Sequence, residues 1–266
     1  MGRINNEMLK VGQEEMFKIL HEIDRICRKH DIKYWLEFGT LLGAVRHKGF
    51  IPWDDDCDIG MMRSDFNKLR EVIPGELSKD FFFQTNKTDP NYWRKMAKIR
   101  SNKVKMIEHD EVENENYHQG VYVDIFIYDF YPAWALRVAA VLNACQDVKK
   151  IRRKYPKKSL LRNIVNLACF PVTIFYNILR GLFKCLFKKY QNIRSDYIGS
   201  GMDQSGSIYL VRAEKIFPLT KELQFGCDKF FVPNQFEEVL KDIYGDYLTL
   251  PREEDRKSHS KCICYF

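Results

Sequence analysis

Apolar positions near the start of the chain recur every three to four residues. Leu9, Met16, Ile19, Leu20, Ile23 and Ile26 fall on one face with charges between them, which predicts an amphipathic helix from Asn6 to His30. The period then shortens. Tyr34 to Phe38 reads as a strand running into Gly39-Thr40, and Leu41 to Arg46 as a short helix in which Gly43 allows close packing. Past a Pro52-Trp53 turn, Asp56 to Met61 reads as a second strand, and Arg63 to Val72 as a helix that Pro74-Gly75 should end. Phe81 to Gln84, Lys98 to Arg100 and Val104 to Ile107 are further strand candidates, and the acidic stretch Asp110 to Asn116 suits a solvated loop. Val121 to Ile127, introduced by Gly120, carries the clearest strand pattern. Pro233-Asn234 can open a helix to Tyr244, with Gly245 just past its end. There is no internal repeat.

The middle of the chain follows another rule. From Val148 to Ser195 there are thirteen Lys or Arg and no Asp or Glu. Lys149, Lys150, Arg152, Arg153, Lys154, Lys157 and Lys158 precede the apolar stretch Leu160 to Phe187, and Lys188 and Lys189 follow it. Arg162, Asn163, Asn166, Pro171, Asn177 and Arg180 interrupt that stretch. A membrane-spanning helix needs about 20 mostly apolar residues. The pattern better suits helices lying in a membrane interface, cations toward anionic headgroups. The expected organisation is a catalytic core over 1–132, a basic amphipathic insertion over 133–200, and a C-terminal part over 201–266 that completes the core.

Hydrophobic residues make up 45% of the 266, enough to bury a core of this size, and the formal net charge of +7 points to an acidic partner. No nucleic-acid-binding motif accompanies the charge, so phosphates and anionic lipid are expected and nucleic acid is not. None of the eight cysteines forms a CxxC pair, which argues against a zinc knuckle or a redox motif. The N-terminus shows no apolar signal core, and the terminal CICYF does not fit a prenylation box. The expectation is reduced thiols in a cytoplasmic protein held peripherally on the cytoplasmic face of the membrane.

Asp54, Asp55, Asp56 and Asp58 crowd five positions. On a strand, Asp56 and Asp58 point the same way, with Cys57 and Ile59 toward the core. Two carboxylates about 4 Å apart repel by roughly 4 kcal/mol at an effective dielectric near 20, so such a pair calls for a cation. Hard oxygen ligands favour Mg²⁺ or Mn²⁺. Asp124, between Val123 and Ile125, is costly to bury alone and reasonable if it faces the same ion. Asp56, Asp58 and Asp124 are therefore the candidate catalytic and metal-holding residues, with Asp129 a weaker one. Gly39 and Thr40, at a strand-to-helix turn, can bring N–H and hydroxyl donors to a phosphate. Lys98 and Arg100 share a strand face and are candidates for the same phosphate. Arg46 and His47, close to the carboxylates in sequence, are candidate substrate-binding residues. Tyr34, Trp35, Tyr92 and Trp93 are a candidate cation-binding cage.

Three segments carry a resemblance: FGTLLGAVRHKGFIPWDDDCDIG at 38–60, GVYVDIFIYD at 120–129, and YGDYLTLPREEDRKSH at 244–259. They resemble the LicD-type family of the nucleotidyltransferase-like superfamily. Cys57 stands where an aliphatic residue is more usual, and Ile127-Tyr128 where Pro and an aliphatic residue are frequent. Neither departure removes a carboxylate. The resemblance implies an α/β (α+β) fold, a nucleotidyltransferase-like core whose small mixed sheet, flanked by helices, carries the three acids. It implies transfer of phosphocholine, or of ribitol phosphate as in fukutin-like enzymes, from a CDP-activated donor to a cell-surface or lipid-linked glycan. There a sugar hydroxyl attacks the donor's β-phosphorus and CMP leaves. Arg256 and His259, inside the third segment, become candidate substrate-binding residues. Two other readings stay open: a nucleotidyltransferase releasing pyrophosphate, and a non-catalytic membrane-associated glycan-binding protein.

Overall fold

The computed structural model describes residues 5–151, 160–187, 193–200, 208–256 and 258–266, with the backbone alone at 146–151 and 160–168. Arg152, Arg153, Lys154, Lys157, Lys158, Lys188 and Lys189 lie outside the described residues, as do the side chains of Lys149, Lys150, Arg162, Asn163 and Asn166. The chain forms a mixed α/β structure in two compact units, one of Met1–Tyr128 with Glu214–Phe266, the other of Asp129–Ala213.

Helix α1 (Asn6–Lys29) starts where Asn5 accepts the Glu7 N–H at 3.0 Å. Its apolar stripe is wholly buried from Met16 to Cys27 and packs on the sheet. Strand β1 (Trp35–Leu36) has only two residues, because α2 (Phe38–His47) begins earlier than the pattern predicts. Phe38 has φ +42°, a left-handed conformation that no strand continues through. In α2, a Cβ on Gly43 would sit 2.4 Å from the Gly49 carbonyl oxygen, so only glycine lets the helix lie this close to the returning chain.

Strand β2 (Asp58–Met62) begins two residues later than predicted, leaving Asp56 in the preceding loop. The alternation argument for Asp56 therefore fails, and its position is set by loop contacts. Helix α3 (Arg63–Glu76) runs through Pro74 to an end at Leu77. Pro74 cannot donate to the carbonyl four residues before it, so the helix loses a bond there and ends within three residues. Strand β3 (Phe81–Gln84) pairs with β4 (Ala97–Glu108), a single strand where two were expected. An irregular register between Arg100 and Lys105 interrupts its pairing with β5 (Gly120–Tyr131) and explains the broken pattern.

Strand β5 carries the chain into the second unit. There α4 (Ala135–Ile151) packs against α5 (Leu160–Phe187), and β6 (Tyr197–Ser200) pairs with residues 129–131 and with β7 (Tyr209–Arg212). Tyr131, Leu142, Tyr176, Phe183 and Phe187 form its core. Asp129 lies in this unit, buried opposite Gly199.

A four-residue α6 (Ala213–Ile216) leads to the hairpin of β8 (Lys221–Phe225) and β9 (Asp228–Val232), which turns at Gly226. Helix α7 (Phe236–Tyr244) ends on Gly245 as expected, at φ +67°. Last comes β10 (Ser260–Tyr265), antiparallel to β4. The first unit's sheet thus has the order β1-β2-β5-β4-β10, with only β2 and β5 parallel.

Candidate active site

The parallel pair in the middle of the sheet creates the site. Asp58 opens β2 and is in register with Asp124 of β5. Adjacent strands lie about 4.8 Å apart, so these carboxylates leave neighbouring backbones on one face of the sheet. The Thr40 hydroxyl accepts the Asp58 N–H at 2.8 Å, and the Glu37 N–H donates to the Asp58 carbonyl at 3.0 Å. Asp58 is thus fixed from both sides.

The loop before β2 is held as firmly. Gln13 of α1 donates its side-chain amide to the carbonyls of Ile51 (3.2 Å) and Asp54 (2.8 Å). Asp55 turns away from its neighbours and is fully buried. One oxygen accepts the His259 N–H and the other the Ser260 N–H, both at 2.7 Å, and the Ser260 hydroxyl joins them. This clamp ties the start of β10 to the aspartate loop and brings His259 Nε2 to 3.3 Å from Asp56 Oδ2.

Asp54, Asp56 and Asp58 open into a cavity of about 700 Å³, together with Gly39, Arg46, Trp53, Tyr244 and Tyr247. Ligand atoms of Asp54, Asp56 and His259 lie within 4.8 Å of one another. Burial pushes all four carboxyls up. Asp56 raises Asp54 further; Asp56, Asp124 and Asp54 raise Asp58; His259 offsets part of the rise at Asp56, and Lys98 at Asp124. Burial and the charges of Asp58, Asp54 and Asp56 also raise the Tyr244 phenol. Hard oxygen donors crowded at such electrostatic cost fit a divalent cation, which converts their repulsion into attraction.

Gly39 lines the cavity for a steric reason. A Cβ there would stand 2.9 Å from Asp54 Oδ2 and 3.9 Å from Asp56 Oδ1. Gly39→Ala should therefore displace the carboxylates and weaken cation binding about tenfold, roughly 1.4 kcal/mol. Titration of Mn²⁺ into the variant checks this; affinity equal to wild type would count against the placement.

The other predicted residues divide. Arg46 lines the cavity and donates to the Tyr247 carbonyl at 3.0 Å. His47 accepts from Arg46 Nε at 3.0 Å and meets the Trp53 ring edge-on. Arg256 stacks over Trp53, its guanidinium carbon 4.3 Å from the ring centroid. Thr40 spends its hydroxyl on Asp58, so it aims a carboxylate. Lys98 is buried, 3.1 Å from Asp124 Oδ1 and 3.3 Å from Glu108 Oε1, with its ammonium over Tyr122. Burial alone would raise Glu108, but Lys98 and Arg94 hold it at about 2. Arg100 is buried as well, donating to Gln84 and to the Gly120 carbonyl. The shared face read for Lys98 and Arg100 is real, but both cations are engaged inside the protein.

The expected aromatic cage does not form from the residues named for it. Tyr34, Trp35 and Tyr92 are core residues, with Tyr34 donating to Asp24, Trp35 packed on Tyr128 and Tyr92 on Tyr117. Phe38, Trp53, Tyr244 and Tyr247 line the cavity instead. The pattern also passed over Asp54, Asp55 and Gln13. Asp54 and Asp55 stood in the acidic run, but nothing local tells a ligand from a clamp.

The family model described as LicD/FKTN/FKRP, nucleotidyltransferase domain, matches residues 31–161. Lipopolysaccharide cholinephosphotransferase LicD of Haemophilus influenzae is 31% identical over 264 residues, which cover 94% of this chain and 95% of that protein. Ribitol 5-phosphate transferase FKRP of Homo sapiens is 46% identical over 45 residues, 17% of this chain and 9% of that protein. An uncharacterized protein of Rickettsia prowazekii is 48% identical over 59 residues, 22% of each chain. With a likeness that runs almost from end to end in the Haemophilus protein, this chain belongs to the LicD family.

Proposed function

We propose that the protein is a divalent-cation-dependent transferase with a nucleotidyltransferase-like core. It moves a phospho-alcohol group, phosphocholine or a similar one, from a CDP-activated donor to a hydroxyl of a cell-surface or lipid-linked glycan. The observation that carries this reading is the gathering of Asp54, Asp56 and Asp58 in one cavity, with Asp124 in register beside Asp58. The kinship with a cholinephosphotransferase and, over a short segment, with a ribitol 5-phosphate transferase supports a phosphate-linked cargo and a glycan acceptor.

Asp54, Asp56 and Asp58, with His259 beside them, would hold Mg²⁺ or Mn²⁺. The ion would neutralise charge on the donor's diphosphate and on leaving CMP. Gly39 stands in the first turn of α2, where the helix dipole favours a phosphate. Arg46 and the aromatic lining suit the rest of the donor. Asp124, beside Asp58 and paired with Lys98, would complete the acidic site and take the acceptor's proton. The bond from the acceptor oxygen to the β-phosphorus forms as the bond to the bridging oxygen breaks, and CMP departs with that electron pair. Lys98 acts through Asp124, and Arg100 through the sheet beneath it.

The family model's description favours a second reading, nucleotidyl transfer. Products separate the two: CMP marks phospho-alcohol transfer, pyrophosphate marks nucleotidyl transfer. A thermal-shift screen of CDP-alcohols with Mg²⁺ comes first. A donor at a hundredfold excess over its dissociation constant stabilises by about 2.7 kcal/mol. If no CDP-alcohol stabilises the protein and none is turned over, the transferase reading fails and the non-catalytic one replaces it.

A further inference from the structure

Helix α5 of the second unit has two apolar faces, and the protein covers one of them. Cys169, Tyr176, Phe183 and Phe187 are buried, the last three in the core with α4. On the opposite side Phe170, Ile174, Ile178, Leu182 and Leu186 are between 44% and 61% exposed. They follow one another at four-residue spacing, and Phe175 widens the stripe. At 1.5 Å per residue it runs about 24 Å along the helix. Thr173, Asn177, Arg180 and Lys184 form a polar seam between the two faces.

A continuous apolar stripe of this length needs an occupant. The charge of the segment selects it: thirteen Lys or Arg and no acid between Val148 and Ser195. A second copy of the chain would bring like charge against like charge. A nucleic acid would answer the charge and leave the aliphatic stripe in water. An anionic bilayer satisfies both. Cys169–Phe187 has a mean hydropathy of 1.2 over 19 residues, enough by length and composition to cross a membrane. One side of that helix is nevertheless already packed on protein, and the polar seam runs along it.

We propose that the exposed face of α5 docks on an anionic bilayer, the helix lying in the interface and the positive charge of this stretch of sequence drawing it to anionic headgroups. This holds the protein peripherally on a membrane surface and stands independently of the transferase reading. The test is flotation of the full-length protein with phosphatidylcholine vesicles, with and without phosphatidylglycerol, at low and high salt. Wild type should float with the anionic vesicles and lose at least tenfold in partitioning at high salt. Ile178→Glu with Leu182→Glu should lose at least tenfold at low salt while its circular dichroism and melting temperature hold. Asp56→Ala should float as wild type does, which separates this inference from the site assignment.

The proposal is overturned if wild type stays unbound on anionic vesicles, if the double variant binds as tightly as wild type, or if wild type inserts into neutral vesicles and resists high salt, which marks a span. A dimer in lipid-free solution, lost in the double variant and unaccompanied by vesicle binding, would assign the stripe to a second copy.

Discussion

Asp56→Ala and Asp58→Ala each lower transfer by at least a thousandfold, about 4 kcal/mol of transition-state stabilisation, without weakening the fold. Rate and stability part because the carboxylates are placed for a cation. Asp58 is buried opposite Asp124 and near Asp56, and both raise its proton affinity. Removing one charge relieves repulsion of roughly 4 kcal/mol for a pair about 4 Å apart at an effective dielectric near 20. In metal-free buffer the variants should therefore melt at or above the wild-type temperature. In Mn²⁺ the wild type should gain stability and the variants should not. Initial rates and paired melts with and without the ion measure both effects. Variants that keep a tenth of wild-type turnover, or that are stabilised by Mn²⁺ as wild type is, would show that these side chains are not the ligands.

Asp55→Ala has the opposite signature, a large loss of stability. Its carboxylate accepts the His259 and Ser260 N–H groups and the Ser260 hydroxyl, all from a segment more than two hundred residues away. Truncation strands these donors, and each buried unsatisfied group costs about 1–3 kcal/mol. A total near 3 kcal/mol is expected, read as a lower denaturation midpoint at unchanged slope. The start of β10 should loosen, and His259 with it, so activity falls even where the protein stays folded. Asp55→Asn keeps one acceptor oxygen and should lose less. A change in Asp55→Ala below about 0.5 kcal/mol, the range of an ordinary surface substitution, would mean that the clamp does not hold the strand.

Periodicity identified what it physically reports. The stripe of α1, the β-rich run of β5 and the glycine after α7 each follow from how a local segment presents its side chains, and all three stand in the structure. Contacts between distant segments were not legible. Strand β10 exists because β4 offers an edge to pair with, and its six residues alone look like a polar-to-apolar tail. Asp56 was placed on a strand because the acidic run abuts one, yet the loop is shaped by Gln13 and Asp55, whose partners are far along the chain. Lys98 and Arg100 show the same limit. Alternation gives their shared face, but only the fold reveals Glu108, Asp124, Gln84 and Gly120 waiting there.

Titrating Mn²⁺ into the protein with CDP-choline present, and following the free-ion electron paramagnetic resonance signal, probes the site most directly. Wild type should remove the signal in stoichiometric proportion, and Asp56→Ala and Asp58→Ala should leave it in place. A signal that persists with wild type, or disappears as readily with either variant, would contradict the assignment.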